Sequence, residues 1–177
     1  KILKKNKLRF EGVSINSKQI KKNNLFVAIK GKNHDGHIFV KEALKNKANY
    51  CVVEKKVNIL NKTKLIKCSS SINFLNKLAI LKRSSTNLKV IGITGSSGKT
   101  TLKTLLGKIL SEYGKTYFSQ KSYNNHIGVP LSLCNIENDL KYGVFEIGMS
   151  NKGEVRKLSN LVKPDIAIIT NIGEAHI

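Results

Sequence analysis

The segment that most constrains this chain is Thr94-Gly95-Ser96-Ser97-Gly98-Lys99-Thr100-Thr101. It follows an apolar run, Val90 to Ile93, that suits a buried strand. A helix is predicted after it, with Leu102, Leu105, Leu106, Ile109 and Leu110 on one face. Strand, glycine turn and helix are the setting a phosphate loop requires. Gly95 and Gly98 let the backbone turn tightly and approach an anion, so that successive N–H groups and the helix N-terminus face the phosphates. Lys99 is placed to neutralise the β- and γ-phosphates, and the Thr100 hydroxyl to bind Mg²⁺. The common pattern has a glycine five residues before Gly98, where this chain has Ile93, so the loop is a shorter variant. The plain alternative is a helix start with a solvated lysine. The strand, the Gly-x-x-Gly-Lys-Thr run and the helix together favour nucleotide phosphate.

Around this loop the sequence alternates strands and helices. In the first stretch, Leu25 to Ile29, Tyr50 to Val53 and Leu65 to Cys68 read as strands. A helix is predicted from His37 to about Lys47. Another, capped by Ser69, Ser70 or Ser71, carries Ile72, Leu75, Leu78, Ala79 and Leu81. The polar run Ser84 to Asn87 breaks both periodicities and sets a boundary between domains at 1–85 and 88–177. Beyond the loop, Thr116 to Phe118, Tyr142 to Ile147 and Asp165 to Thr170 read as strands. Pro130 opens a helix, and a further helix runs from Glu154 to Leu161, stopped before Pro164. The fold class is α/β: a small N-terminal α/β domain, then a P-loop domain with a mostly parallel sheet covered on both faces.

The formal charge of +21 raises the question of nucleic acid. Yet no basic block is interleaved with aromatics and Trp is absent, so a stacking platform for bases has little support. The lysines are dispersed, with modest help toward an anionic substrate. Cys51, Cys68 and Cys134 are far apart and form no C-x-x-C pair, which speaks against zinc or redox motifs and for buried thiols in a reducing cytoplasm. No run of about 18 apolar residues is present, so no membrane insertion is expected.

Glu146 is awkward in the middle of the apolar run Tyr142 to Ile147, because a buried charge demands a partner. A Mg²⁺ shared with the phosphates would supply it; so would a lysine. In doubly wound sheets ligands gather at the strands' C-terminal ends, where Glu146 falls. His176 and Glu174 follow another strand on the same side, though by themselves they read as ordinary polar groups. Asn124 and Asn125 lie in the polar loop Tyr123 to Pro130, where turn chemistry is the simpler explanation.

The run Val90 to Thr101 resembles the ATP loop of the Mur ligases, which build the peptide of bacterial peptidoglycan and use this short loop. Asn124 to Pro130, Phe145 to Asn151 with Gly153 and Glu154, and Thr170 to His176 are similar to the family as well. So are Asn16 to Lys18, Asn24 to Gly31 and Asp35 to Phe39, which resemble its UDP-sugar-binding domain, with Asn16 and Lys18 where Asp and Arg are usual. The pattern is most similar to the member that joins D-alanyl-D-alanine to UDP-N-acetylmuramoyl-tripeptide. The resemblance implies an ATP-dependent, Mg²⁺-requiring amide ligase of the cytoplasm that works through an acyl phosphate and is a monomer when full length. It implies ATP contacts across Thr94, Gly95, Ser96, Ser97, Gly98, Lys99, Thr100 and Thr101, with Lys99, Glu146 and His176 catalytic. Thr100, Glu146 and His176 would serve the metals, and Ser17, Asp35, Gly36, His37, Asn124 and Asn125 the muramoyl substrate. The family's third domain and the rest of its central domain would lie beyond Ile177, so residues 1–177 alone are expected not to turn over.

Overall fold

The computed structural model describes residues 8–31, 33–119 and 122–173. The chain divides into two compact units, residues 1–75 and 76–177.

The first unit is built on four parallel strands in chain order: β1 (Val13–Ser14), β2 (Leu25–Val27), β3 (Tyr50–Val53) and β4 (Leu65–Lys67). Leu25 pairs with both Val13 and Tyr50, and Cys51 with Leu65. β2 is wholly buried, as its continuous apolar run requires. It stops at Val27, short of Ile29. The Ile29 carbonyl accepts the Gly36 N–H at 2.9 Å, and a bridge joins Lys30 to Asp35, so the backbone leaves the sheet there. The expected helix from His37 begins as a 3-10 turn, Gly36–Phe39, and becomes α1 only at Val40–Lys45. Its inner side, Val40 and Ala43, packs with Phe26, Ala28, Ala48, Cys51 and Val53. β1 has two residues and therefore no periodicity to betray it.

Helix α2 (Ser71–Ser84) starts where predicted: the Ser70 hydroxyl accepts the Asn73 N–H at 3.2 Å. It crosses the division between the units. Ser71, Leu75 and Ala79 are buried, whereas Leu81 is exposed and does not share the predicted face.

The second unit holds β5 (Lys89–Thr94), β6 (Thr116–Phe118), β7 (Tyr142–Glu146) and β8 (Ile166–Ile169), all parallel, in the order β6-β7-β5-β8. β5 is central, with Val90 and Ile93 fully buried. Helix α3 (Lys99–Ser111) lies against β5, β6 and β7. The predicted apolar face packs only in part: Leu102, Leu106 and Leu110 are half-buried. Leu105 and Ile109 are exposed, while Lys103 and Gly107 are buried. The cause is close approach: a Cβ on Gly107 would lie 2.3 Å from the Phe118 ring. Helices α4 (Gly128–Cys134) and α5 (Glu154–Val162) contact each other. Pro130 sits in the first turn of α4, where its missing N–H is not needed. The end of α5 is held by Arg83, whose Nε and Nη2 donate to the carbonyls of Val162 (2.8 Å) and Lys163 (2.9 Å). β8 departs from expectation. It is an edge strand with Ile166 and Ile169 more than half exposed, so among the described residues the sheet is not covered there.

Candidate active site

β5 delivers the chain into the glycine loop at the C-terminal edge of the second sheet. Thr94 anchors the start, its hydroxyl donating to the Ile147 carbonyl at 3.0 Å. Gly95 has φ +131°, and a Cβ there would lie 2.1 Å from Thr170 Oγ1 and 2.9 Å from the Asn171 carbonyl oxygen. Gly98, with φ +77°, leads into α3 in the left-handed region that favours glycine. Residues just past β8 clamp the loop. Ser96 N–H donates to the Asn171 carbonyl (3.1 Å) and Ser97 N–H to Asn171 Oδ1 (3.0 Å). Thr170 Oγ1 donates to the Ser97 carbonyl at 2.6 Å, and Asn171 Nδ2 to Ser97 Oγ at 2.7 Å. Lys99 folds back over the loop and donates to the carbonyls of Gly95 and Ser96.

Glu146, the last residue of β7, pairs in register with Ile93 and is buried beside the loop. Its Oε2 accepts from Thr100 Oγ1 at 2.8 Å and lies 3.4 Å from Lys103 Nζ. Its Oε1 accepts from Asn124 Nδ2 at 2.8 Å. The charge thus has the lysine partner that one of the two expectations foresaw. Gly98, Lys99, Thr100, Asn124, Glu146 and Ser150 are among the residues lining one cavity of about 370 Å³. The two asparagines separate in role: Asn125 Oδ1 accepts the N–H groups of Ile127 (3.0 Å) and Gly128 (2.8 Å), which is turn chemistry. Glu154, the first residue of α5, accepts the N–H of Ser150 at 2.8 Å through Oε2. His176 and Glu174 lie outside the described residues.

Ser17, Asp35, Gly36 and His37 belong to the first unit and bond internally. Ser17 Oγ donates to Glu42 Oε2 at 2.6 Å. The His37 ring is buried, and its Nε2 accepts the Glu54 N–H at 2.9 Å, so Nδ1 carries the proton and donates to Asp35 Oδ1 at 2.6 Å. Asp35 also meets Lys55 at 2.5 Å, and Lys55 together with His37 holds its carboxyl well below the usual carboxylate range. A Cβ on Gly36 would lie 2.8 Å from Ile29 backbone atoms. The geometry gives these four residues scaffolding contacts.

The donor set suits Mg²⁺. Thr100 and Glu146 offer hard oxygen atoms beside a phosphate loop, and Mg²⁺ is commonly held by one or two carboxylates plus substrate phosphates. Among the described residues there is no cluster of three His, Cys, Asp or Glu, which disfavours an all-protein metal cage.

Residues 9–92 match the pattern described as "Mur ligase family, catalytic domain", and residues 93–177 match "Mur ligase middle domain". The chain belongs to the Mur ligase family. Its relatives include the UDP-N-acetylmuramoyl-tripeptide–D-alanyl-D-alanine ligase of Rickettsia prowazekii (strain Madrid E), 38% identical over 97% of this chain and 38% of that protein. The ligase of the same name from Bacillus subtilis (strain 168) is 35% identical over 93% of this chain and 36% of that protein. Among solved structures, MurF ligase from Thermotoga maritima in complex with ADP superposes with a TM-score of 0.82 at 36% identity, covering 94% of this chain and 38% of that one. MurF from Acinetobacter baumannii gives 0.84 at 34% identity, over 93% of this chain and 36% of that one. The chain therefore spans less than two fifths of the length of these relatives.

Proposed function

We propose that this chain is part of the ATP-dependent ligase that joins D-alanyl-D-alanine to UDP-N-acetylmuramoyl-tripeptide. The observation that carries the reading is the meeting of Lys99, Thr100 and Glu146 in one cavity at the loop, in a chain similar along its length to ligases of that name. In the reaction the tripeptide's terminal carboxylate attacks the γ-phosphorus of ATP, and ADP leaves. The amine of D-alanyl-D-alanine then attacks the acyl carbon and loses a proton as phosphate departs. Catalysis of this kind is mostly positioning and charge neutralisation. Lys99, which covers its own loop carbonyls here, swings to the β/γ-phosphates. The Thr100 hydroxyl and the Glu146 carboxylate would hold Mg²⁺, which would neutralise charge on the phosphoryl oxygens. Asn124 fixes Glu146 through Oε1. His176 is assigned to a second metal by family likeness. The loop from Thr94 to Thr101 carries the ATP phosphates, and residues 88–177 form the front of the ATP domain. Residues 1–85 form the sugar-nucleotide domain, and Ser17, Asp35, Gly36 and His37 serve the muramoyl substrate there.

The intact protein, given ATP, Mg²⁺ and UDP-N-acetylmuramoyl-tripeptide, should release phosphate only when D-alanyl-D-alanine is added. Lys99→Ala should lower that rate at least about a hundredfold. Turnover with lysine or diaminopimelate and a dipeptide precursor, and none with D-alanyl-D-alanine, would replace this reading with a sibling ligase. Residues 1–177 alone should show no steady-state ligation.

A further inference from the structure

Lys103 has no place in the mechanism above, yet it is the only buried lysine among the described residues. It sits one turn past Thr100 on α3, with a side chain 0% exposed, and its Nζ lies 3.4 Å from the Glu146 oxygen that Thr100 also touches. Removing an ammonium from water is costly, and a Met or Leu would fill the same space without that cost. The charge therefore has a use that packing does not explain. Glu146 is the carboxylate that faces the loop, and Lys103 cancels its charge while Lys99 adds a further positive one. The nearby Glu154 is committed to the N–H groups of Ser150 and Asn151. Such a pocket resists a bare divalent cation and welcomes one that arrives with polyphosphate.

We propose that Lys103 acts through Glu146, its ammonium balancing that carboxylate's charge, so that the site takes a divalent cation only together with nucleotide phosphates. The inference rests on the proposed Mg·ATP site. It predicts that the lysine weakens metal binding in the nucleotide-free protein, the opposite of what a purely structural prop would do.

The test is Mn²⁺ binding to the intact protein, followed by the paramagnetic signal of the free ion, with and without ADP. Wild type should bind Mn²⁺ weakly alone and tightly with ADP. Lys103→Met should bind Mn²⁺ without nucleotide about tenfold more tightly than wild type or better, because a like charge beside the ion is gone. Unchanged or weaker nucleotide-free binding by the folded variant would overturn the proposal. If Lys103→Met fails to fold, Lys103→Gln carries the same comparison, since its neutral amide can still donate to Glu146. Glu146→Gln separates the two levels. If that variant leaves Mn·ADP binding intact, the metal site itself is misplaced, whatever Lys103 does.

Discussion

Replacing Gly95 by alanine should be far more damaging than the same change at Gly98, although both glycines have positive φ in one loop. For Gly98→Ala the cost is mostly conformational, about 1–2 kcal/mol for a left-handed L-residue, since the nearest neighbour of the new methyl would be Thr170 Cβ at 4.0 Å. Gly95→Ala has a comparable backbone cost and two collisions besides. Thr170 Oγ1, at 2.1 Å from the new Cβ, must rotate away and abandon the Ser97 carbonyl. The Asn171 carbonyl, at 2.9 Å, is backbone and must shift, loosening its bond from the Ser96 N–H. Each lost bond is worth about 1 kcal/mol, so the total is about 3–4 kcal/mol. Urea unfolding followed by tyrosine fluorescence suits the purpose. Trp is absent, and of the five tyrosines only Tyr50 lies in the first unit, so the signal reports mainly on the second. Stabilities of the two variants within about 0.5 kcal/mol of each other would refute the claim that the end of β8, rather than φ alone, demands glycine at 95.

In the first unit, His37→Ala should cost about 2–4 kcal/mol in unfolding free energy, because it opens a cavity and leaves the Glu54 N–H without its acceptor; a loss below about 0.5 kcal/mol would contradict the buried network. The depressed carboxyl of Asp35 stabilises the fold above its unfolded pKa, near 4, and that contribution is lost as pH falls toward the lower folded value. Asp35→Asn should accordingly lower the melting temperature at pH 7, with a gap from wild type that narrows as pH drops below about 4. Burial pushes the thiols of Cys51 and Cys134 up to about 12. With a thiol reagent at pH 8, partly exposed Cys68 should react first and the other two only after denaturant is added; simultaneous reaction of all three in the native protein would be inconsistent with their burial.

What could be read from the amino acids alone was local or anomalous. The glycine loop is a contiguous pattern between a strand and a helix. Glu146 is visible because a carboxylate breaks an apolar run. Tyr50–Val53 and Thr116–Phe118 are bounded by polar turns, and the strands have those bounds. Lys103 was illegible for the opposite reason: it is one of 32 basic residues, and nothing nearby marks it as buried. The packed face of α3 matches the leucine pattern only in part, because Gly107, not a leucine, sets how closely the helix meets Phe118. Thr170 and Asn171 could not be linked to Ser96 and Ser97 without knowing that β8 lies beside β5. Asn125 followed ordinary turn chemistry, as the residue type suggested, while its neighbour Asn124 reached Glu146 through a tertiary contact no pattern encodes.

The two strand orders carry a lesson about synthesis. In the first sheet each strand joins the one made just before it, so that layer can assemble as the polypeptide emerges. In the second, β5 is made first but its neighbours on either side are β7 and β8, translated dozens of residues later. Thr170 and Asn171, which clamp the glycine turn, are translated long after it, so the turn cannot gain that clamp until they too have been made.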